Sequence, residues 1–191
     1  MKSLLHITFY LLSIIVLSQD KYKSQNIIDY DSIISKLNAN DTEIYEINKN
    51  VLDSIMKKTD RDYIYLYTFA WWCEPCIKKL PHVLNLKKDF DNLQLLIITT
   101  EQDDSKQLLL TKKYKNDKFN ITFPIFNISD NYSKRRWKKY DSFIQEVVPN
   151  HKDYGLSLSI ILNKEREVIY ASTYNESIEE EFQKIKEIIK E

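Results

Sequence analysis

Two cysteines separated by two residues, in Trp72-Cys73-Glu74-Pro75-Cys76, are the side chains of this sequence best equipped for chemistry. They are the only cysteines among 191 residues, so the chain has one possible internal disulfide. A loop that short removes little entropy from the unfolded chain, which makes stabilisation a poor reason for the pair. Redox exchange is a better one. A thiolate attacks a disulfide sulfur, and a second thiol one helical turn away resolves the mixed disulfide. The attacking thiol must be partly ionised, and a strand that delivers Cys73 to a helix N-terminus provides for this. There, unpaired backbone N–H groups and the positive end of the helix dipole favour a thiolate. Pro75 suits the first turn of such a helix, where its missing N–H costs little.

The flanking sequence supplies these elements. Tyr63–Phe69 carries apolar and aromatic residues at both parities, as a strand buried on both faces does. The helix opened by the cysteines is expected to run to about Phe90. Leu93–Thr99 reads as a second buried strand, and Asp103-Asp104-Ser105 as the cap of a helix reaching about Lys115, with Leu108, Leu109 and Tyr114 inward. Upstream, a short helix around Tyr30–Leu37, a strand at Glu43–Asn48 and a helix at Lys49–Lys58 are predicted. Downstream, Thr122–Asn127 reads as extended, and Leu158–Leu162 and Glu167–Ala171 as a hairpin around Asn163–Arg166. An amphipathic helix over Ser177–Lys190 closes the chain, with Ile178, Phe182, Ile185, Ile188 and Ile189 as its stripe. The order β-α-β-α-β-α-β-insert-β-β-α describes one α/β domain.

Composition removes several alternatives. Twenty-eight basic and 28 acidic residues leave no net charge, and with it no global attraction for nucleic acid or an anionic membrane. A single glycine, Gly155, excludes G-x-G-x-x-G and Walker phosphate loops. Two cysteines and three histidines exclude an all-cysteine zinc site within the chain and a His-rich metal cage. Neither a metal nor an organic cofactor is expected. At the N-terminus, Met1-Lys2-Ser3 precedes a mostly apolar run from Leu4 to Leu17. Its roughly 14 residues suit a secretory signal, and a membrane-spanning helix needs about 20. Residues 1–18 are therefore read as a signal peptide, 19–42 as a polar lead-in and 43–191 as the domain; an uncleaved anchor is the alternative for 1–18. Export places the cysteines in an oxidising, periplasmic or extracytoplasmic space.

With these residues in place, the sequence resembles the thioredoxin superfamily, and in particular the TlpA/ResA-like extracytoplasmic thiol–disulfide oxidoreductases. The likeness rests on Ala70, Trp72-Cys73-Glu74-Pro75-Cys76, Pro81, Phe123-Pro124 and the hairpin Ile160–Tyr170. It implies a thioredoxin-like fold, a central mixed β-sheet flanked by helices, with an N-terminal extension and an insertion before the C-terminal hairpin. It also implies that Cys73 is the exposed nucleophile and Cys76 the resolving thiol. Three positions depart from the family pattern. Ser157 aligns where a cis-proline usually faces the dithiol, and Pro149 lies too far upstream to serve. Lys79 replaces a glutamate three residues after the second cysteine. Tyr67 stands where ordinary thioredoxins bury a carboxylate, so that proton acceptor is expected to be missing. Glu74, if ionised, resists a thiolate, and Lys78 and Lys79 favour one. At about 5 Å and an effective dielectric near 20 each pair is worth about 3 kcal/mol before screening, so the opposing terms are comparable.

The function expected is reduction of protein disulfides, with electrons drawn from an upstream dithiol protein; by resemblance, a membrane reductant. No nucleic acid and no membrane insertion after signal cleavage are expected. The direction of electron flow is left open, since an oxidase would share fold and motif. The rival of a different class is a binding or chaperone-like module whose Cys73–Cys76 disulfide stays oxidised. A metal or cluster shared across a dimer by four thiolates is a minor alternative. Trp72 is expected on an exposed rim, and Tyr63, Tyr65 and Tyr67 in packing roles. The basic run Lys134-Arg135-Arg136-Trp137-Lys138-Lys139 reads as a solvated helix face, with docking of an acidic partner or membrane surface as the alternative. His82 and His151 read as surface residues.

Overall fold

The structure is a computed structural model that describes residues 22–25, 33–38, 40–150 and 155–190. Residues 1–18, expected to be a signal peptide, and His151 lie outside the described residues. Among the described residues six strands and six helices follow one another as α1 (Ile33–Asn38), β1 (Ile44–Ile47), α2 (Lys49–Lys58), β2 (Tyr63–Thr68), α3 (Glu74–Asp89), β3 (Leu93–Thr99), α4 (Lys106–Phe119), β4 (Ile125–Ile128), α5 (Arg136–Val147), β5 (Ser159–Leu162), β6 (Val168–Ala171) and α6 (Ile178–Lys190). No helix among them is long and apolar enough to cross a membrane.

The strands form one mixed sheet in the order β1-β4-β3-β2-β5-β6. The first four run parallel, and β5 and β6 add an antiparallel hairpin beside β2. This is the thioredoxin-like architecture the motif implied, with the α5 insertion ahead of the hairpin. Alternation along the central strands divides the core between two faces. Ile64, Leu66, Leu96 and Ile98 pack with Leu52 and Ile55 of α2 and Phe143 and Ile144 of α5. Tyr65, Tyr67, Leu95 and Ile97 pack with Leu80 and Leu86 of α3, Leu108 of α4 and Ile185 of α6. The three tyrosines of β2 therefore serve packing, two of them with no exposed surface.

Most expected elements hold within a residue or two; the segment expected at Thr122–Asn127 is a strand only from Ile125, and two further differences bear on the packing. Helix α4 continues four residues past Lys115, because Phe119 packs edge-on against Phe69 and Asn120, at φ 49°, ends the helix in the left-handed region. Lys115 is itself buried and donates from Nζ to the Ile121 carbonyl at 2.8 Å, tying down the chain that leaves the helix. The basic run is the second difference, and a correction. It opens α5, but Lys139 is fully buried, donating to Asp130 and to the Glu101 carbonyl. Only Lys134, Arg135, Trp137 and Lys138 of the run are exposed.

Strand direction positions the site. The parallel strands β2, β3 and β4 end at the same sheet edge, delivering Cys73, Glu101 and Asp130 to it. The antiparallel β5 starts at that edge, so its leading residues Ser157 and Leu158 lie beside Thr68 through Ser157 N–H→Thr68 O and Thr68 N–H→Leu158 O.

Candidate active site

Cys73 is the N-cap of α3, with extended backbone, and its sulfur accepts from the Cys76 N–H at 3.3 Å. The two cysteines are joined as a disulfide with Cα atoms 5.2 Å apart. Cys73, expected to be exposed, keeps only 8% of its surface in the disulfide, and Cys76 keeps none, so of the two only Cys73 reaches solvent. Glu74 and Pro75 fill the first turn of the helix, as their types suit.

The charges expected to compete over the thiols are paired elsewhere. Glu74 reaches Lys78 at 2.7 Å in solvent, and that hydrogen bond and charge hold its carboxyl below the ordinary glutamate value. Lys79 points the other way, into an ion pair with Glu181 of α6, and also donates to the Ser157 carbonyl at 3.3 Å. Glu181 has no exposed surface and accepts from Ser159 as well, whose hydroxyl pairs with Tyr65 at 2.8 Å. A buried carboxylate therefore does stand behind the dithiol helix, against expectation. It comes from α6 rather than from β2, where Tyr67 occupies the strand position. Burial pushes the Tyr67 phenol well above its ordinary pKa, so it remains a neutral donor, bonding the Cys76 carbonyl at 2.8 Å and lying 3.3 Å from the Ser157 hydroxyl.

Ser157 lies against the dithiol helix with φ 76°, and no cis peptide bond occurs among the described residues. Its N–H is bound to Thr68 and its carbonyl to Lys79, so neither is open to a docking chain. Beside it, Pro75, Lys79, Gly155 and Tyr174 line a cleft of about 250 Å³. A Cβ on Gly155 would sit 1.6 Å from the Tyr174 hydroxyl, so the loop and that ring approach as only glycine permits.

On the opposite side, Trp72 is 37% exposed, on the rim as expected. Its indole N–H donates to Glu101 at 2.9 Å, and the other Glu101 oxygen holds Arg136. The Arg136 guanidinium lies 4.9 Å above the Trp72 ring, and Trp137 meets that ring edge-on at 6.2 Å. Sequence reasoning missed Glu101, Glu181 and the buried role of Lys139. His82 is exposed and set beside Phe182. Among the described residues no group of three His, Cys, Asp or Glu is placed to hold a metal ion.

Neither a family model nor a curated protein matches this chain. Several solved structures are similar to about two thirds of it. A thioredoxin-like protein from Aeropyrum pernix is 15% identical, with 69% of this chain and 81% of that one covered, at a TM-score of 0.48. The exposed lipoprotein thioredoxin Etrx1 of Streptococcus pneumoniae is 16% identical over 69% and 89%, at 0.47. The thioredoxin domain of a thiol-disulfide oxidoreductase from Bacteroides vulgatus is 12% identical over 67% and 79%, at 0.48. At these identities and scores, the chemistry of this chain has to be read from its own residues.

Proposed function

We propose that the chain is an exported thiol–disulfide oxidoreductase that reduces protein disulfides through Cys73 and Cys76. The observation that carries this reading is the asymmetry of the pair: Cys73, which keeps 8% of its surface, caps the helix that follows the central strand, and its bonded partner Cys76 lies fully buried one turn later. In the reduced protein the Cys73 thiolate attacks one sulfur of a substrate disulfide, and the other substrate sulfur leaves as a thiolate and takes a proton. Cys76 then loses its proton and attacks the Cys73 sulfur, releasing the second substrate thiol. Two electrons pass to the substrate, and the protein is left in the disulfide form. An upstream dithiol protein, placed at the membrane, returns the electrons.

Residues 1–18 act as the export signal and 43–191 as the exchange domain. Trp72, Glu74, Pro75, Lys79 and Ser157 form the surroundings of the dithiol. The helix N-terminus, where the Cys76 N–H already points at the Cys73 sulfur, supports thiolate formation. The test is to trap the intermediate. Cys76→Ser, lacking the resolving thiol, is expected to accumulate a covalent complex with a disulfide-bonded peptide, visible by intact mass, and Cys73→Ser is expected to form none. Trapping by Cys73→Ser instead, or by neither variant, would contradict the assignment.

A further inference from the structure

The exchange chemistry leaves the exposed turn that opens α5 without a role. Lys134, Arg135 and Lys138 project from it, and none has an ion pair among the described residues. Trp137, in the same turn, is 51% exposed and rests against Trp72, the neighbour of Cys73. Two adjoining tryptophans and three unpaired cations thus form one surface reaching from the reactive sulfur to α5. Resting on the exchange reading above, we propose that this surface docks the polypeptide that brings the disulfide and selects acidic segments around it.

Three features carry the assignment. Partly exposed tryptophans give large apolar contact at little entropic cost, and they dominate binding energy where they occur in interfaces. The surface is also held ready. Glu101, fully buried, grips both Trp72 and Arg136, and Lys139 binds the Glu101 carbonyl. Little order has to be created on binding. The charge of Arg136 is answered by Glu101 and that of Lys139 by Asp130, and Lys134 shares a cleft with Glu46, Asp103 and Asp104, so the positive field beside the tryptophans comes chiefly from Arg135 and Lys138. On the other side of the dithiol, Ser157 has spent both its backbone groups internally and offers a docking strand nothing. A polypeptide is favoured over nucleic acid or lipid because the surface adjoins a dithiol, and of the three only a polypeptide carries disulfides.

The test uses three peptides of one scaffold, each with a single internal disulfide flanked by Glu, Gln or Lys. Exchange with the reduced protein is measured by mass, and affinity by tryptophan fluorescence with the peptide cysteines replaced by serine. The Glu peptide is expected to bind and exchange about tenfold better than the Lys peptide, with the advantage shrinking as salt is raised. The advantage should vanish in K134Q/R135Q/K138Q and invert in K134E/R135E/K138E. Equal affinity for the Glu and Lys peptides, or a preference that survives both triple variants, would overturn the proposal. So would oligothymidylate, or vesicles of phosphatidylcholine and phosphatidylglycerol, bound as tightly as the Glu peptide. Failure of every exchange, including that with hydroxyethyl disulfide, alongside an intact binding preference would remove the exchange reading and leave the docking surface standing.

Discussion

Each side of the Cys73–Cys76 pair is organised by one fully buried glutamate, and the two are used differently. Glu101, in front, is held by Trp72 and Arg136, side chains that continue into solvent. Glu181, behind, is held by Lys79 and Ser159, and its network closes inside the fold through Tyr65 and the Ser157 loop. The side chain of Arg136 keeps 30% of its surface and that of Lys79 only 12%. A carboxylate tied to a half-solvated guanidinium can orient a surface, whereas one tied to a nearly dry ammonium locks α3, β5 and α6 together. The same residue type thus builds a recognition face on one side and a rigid backing on the other.

Removing one partner from each pair breaks the comparison most directly. Lys79→Met leaves Glu181 buried without its cation and is expected to cost about 3–5 kcal/mol in urea unfolding. Each glutamate keeps one other donor, Trp72 for Glu101 and Ser159 for Glu181, but Arg136 is the more solvated cation and water can take its place, so Arg136→Met is expected to cost about 1–3 kcal/mol. The double change Lys79→Met with Glu181→Leu should return much of the loss, since an apolar pair of similar volume is tolerated. If Arg136→Met proves the more costly single change, the back of the site is not its rigid part.

The second prediction sharpens the electrostatic side of the contrast and has the smaller effect. Glu181 answers Lys79 in a buried pair, whereas Glu74 and Lys78 meet in solvent, which screens both, so Glu74 is the carboxylate left acting beside Cys73, with Lys78 holding its pKa below the ordinary glutamate value. Removing a negative charge favours the thiolate, so Glu74→Gln should lower the Cys73 thiol pKa. The pH profile of Cys73 alkylation in the reduced protein should then move to lower pH, by less than about one unit because the carboxylate is exposed and screened. The double change Lys79→Met with Glu181→Leu, which removes that pair as a unit, should leave the profile in place. A shift to higher pH in Glu74→Gln would mean that Glu74 acts on Cys73 through something other than its charge.

The sheet and the dithiol were readable in the sequence because each rests on local pattern. Tyr63–Phe69 is apolar at both parities, two apolar runs flank Asn163–Arg166, and the cysteines sit where a strand meets a helix. The two glutamates were not readable, because each finds its meaning across the chain: Lys79 and Glu181 meet over 102 residues, and Trp72 and Glu101 over 29. A signal was present for Glu181, which lies three residues after Ile178 and four before Ile185 on the apolar stripe of α6. Lys139 likewise precedes Phe143 by four residues on the buried side of α5. A charge on an apolar stripe is a reason to look for a buried partner, and the solvated-face reading of the basic run passed over it.

The account stands on Cys73 and Cys76 being a reversible couple in the folded protein. Its most direct test is the reduction potential of the chain lacking residues 1–18, poised in dithiothreitol or glutathione buffers and read by thiol trapping and mass. A reversible two-electron couple closer to about −270 mV than to about −120 mV is predicted, as a reductant requires. A disulfide that exchanges only when the protein is unfolded would contradict the account and leave a binding module in its place.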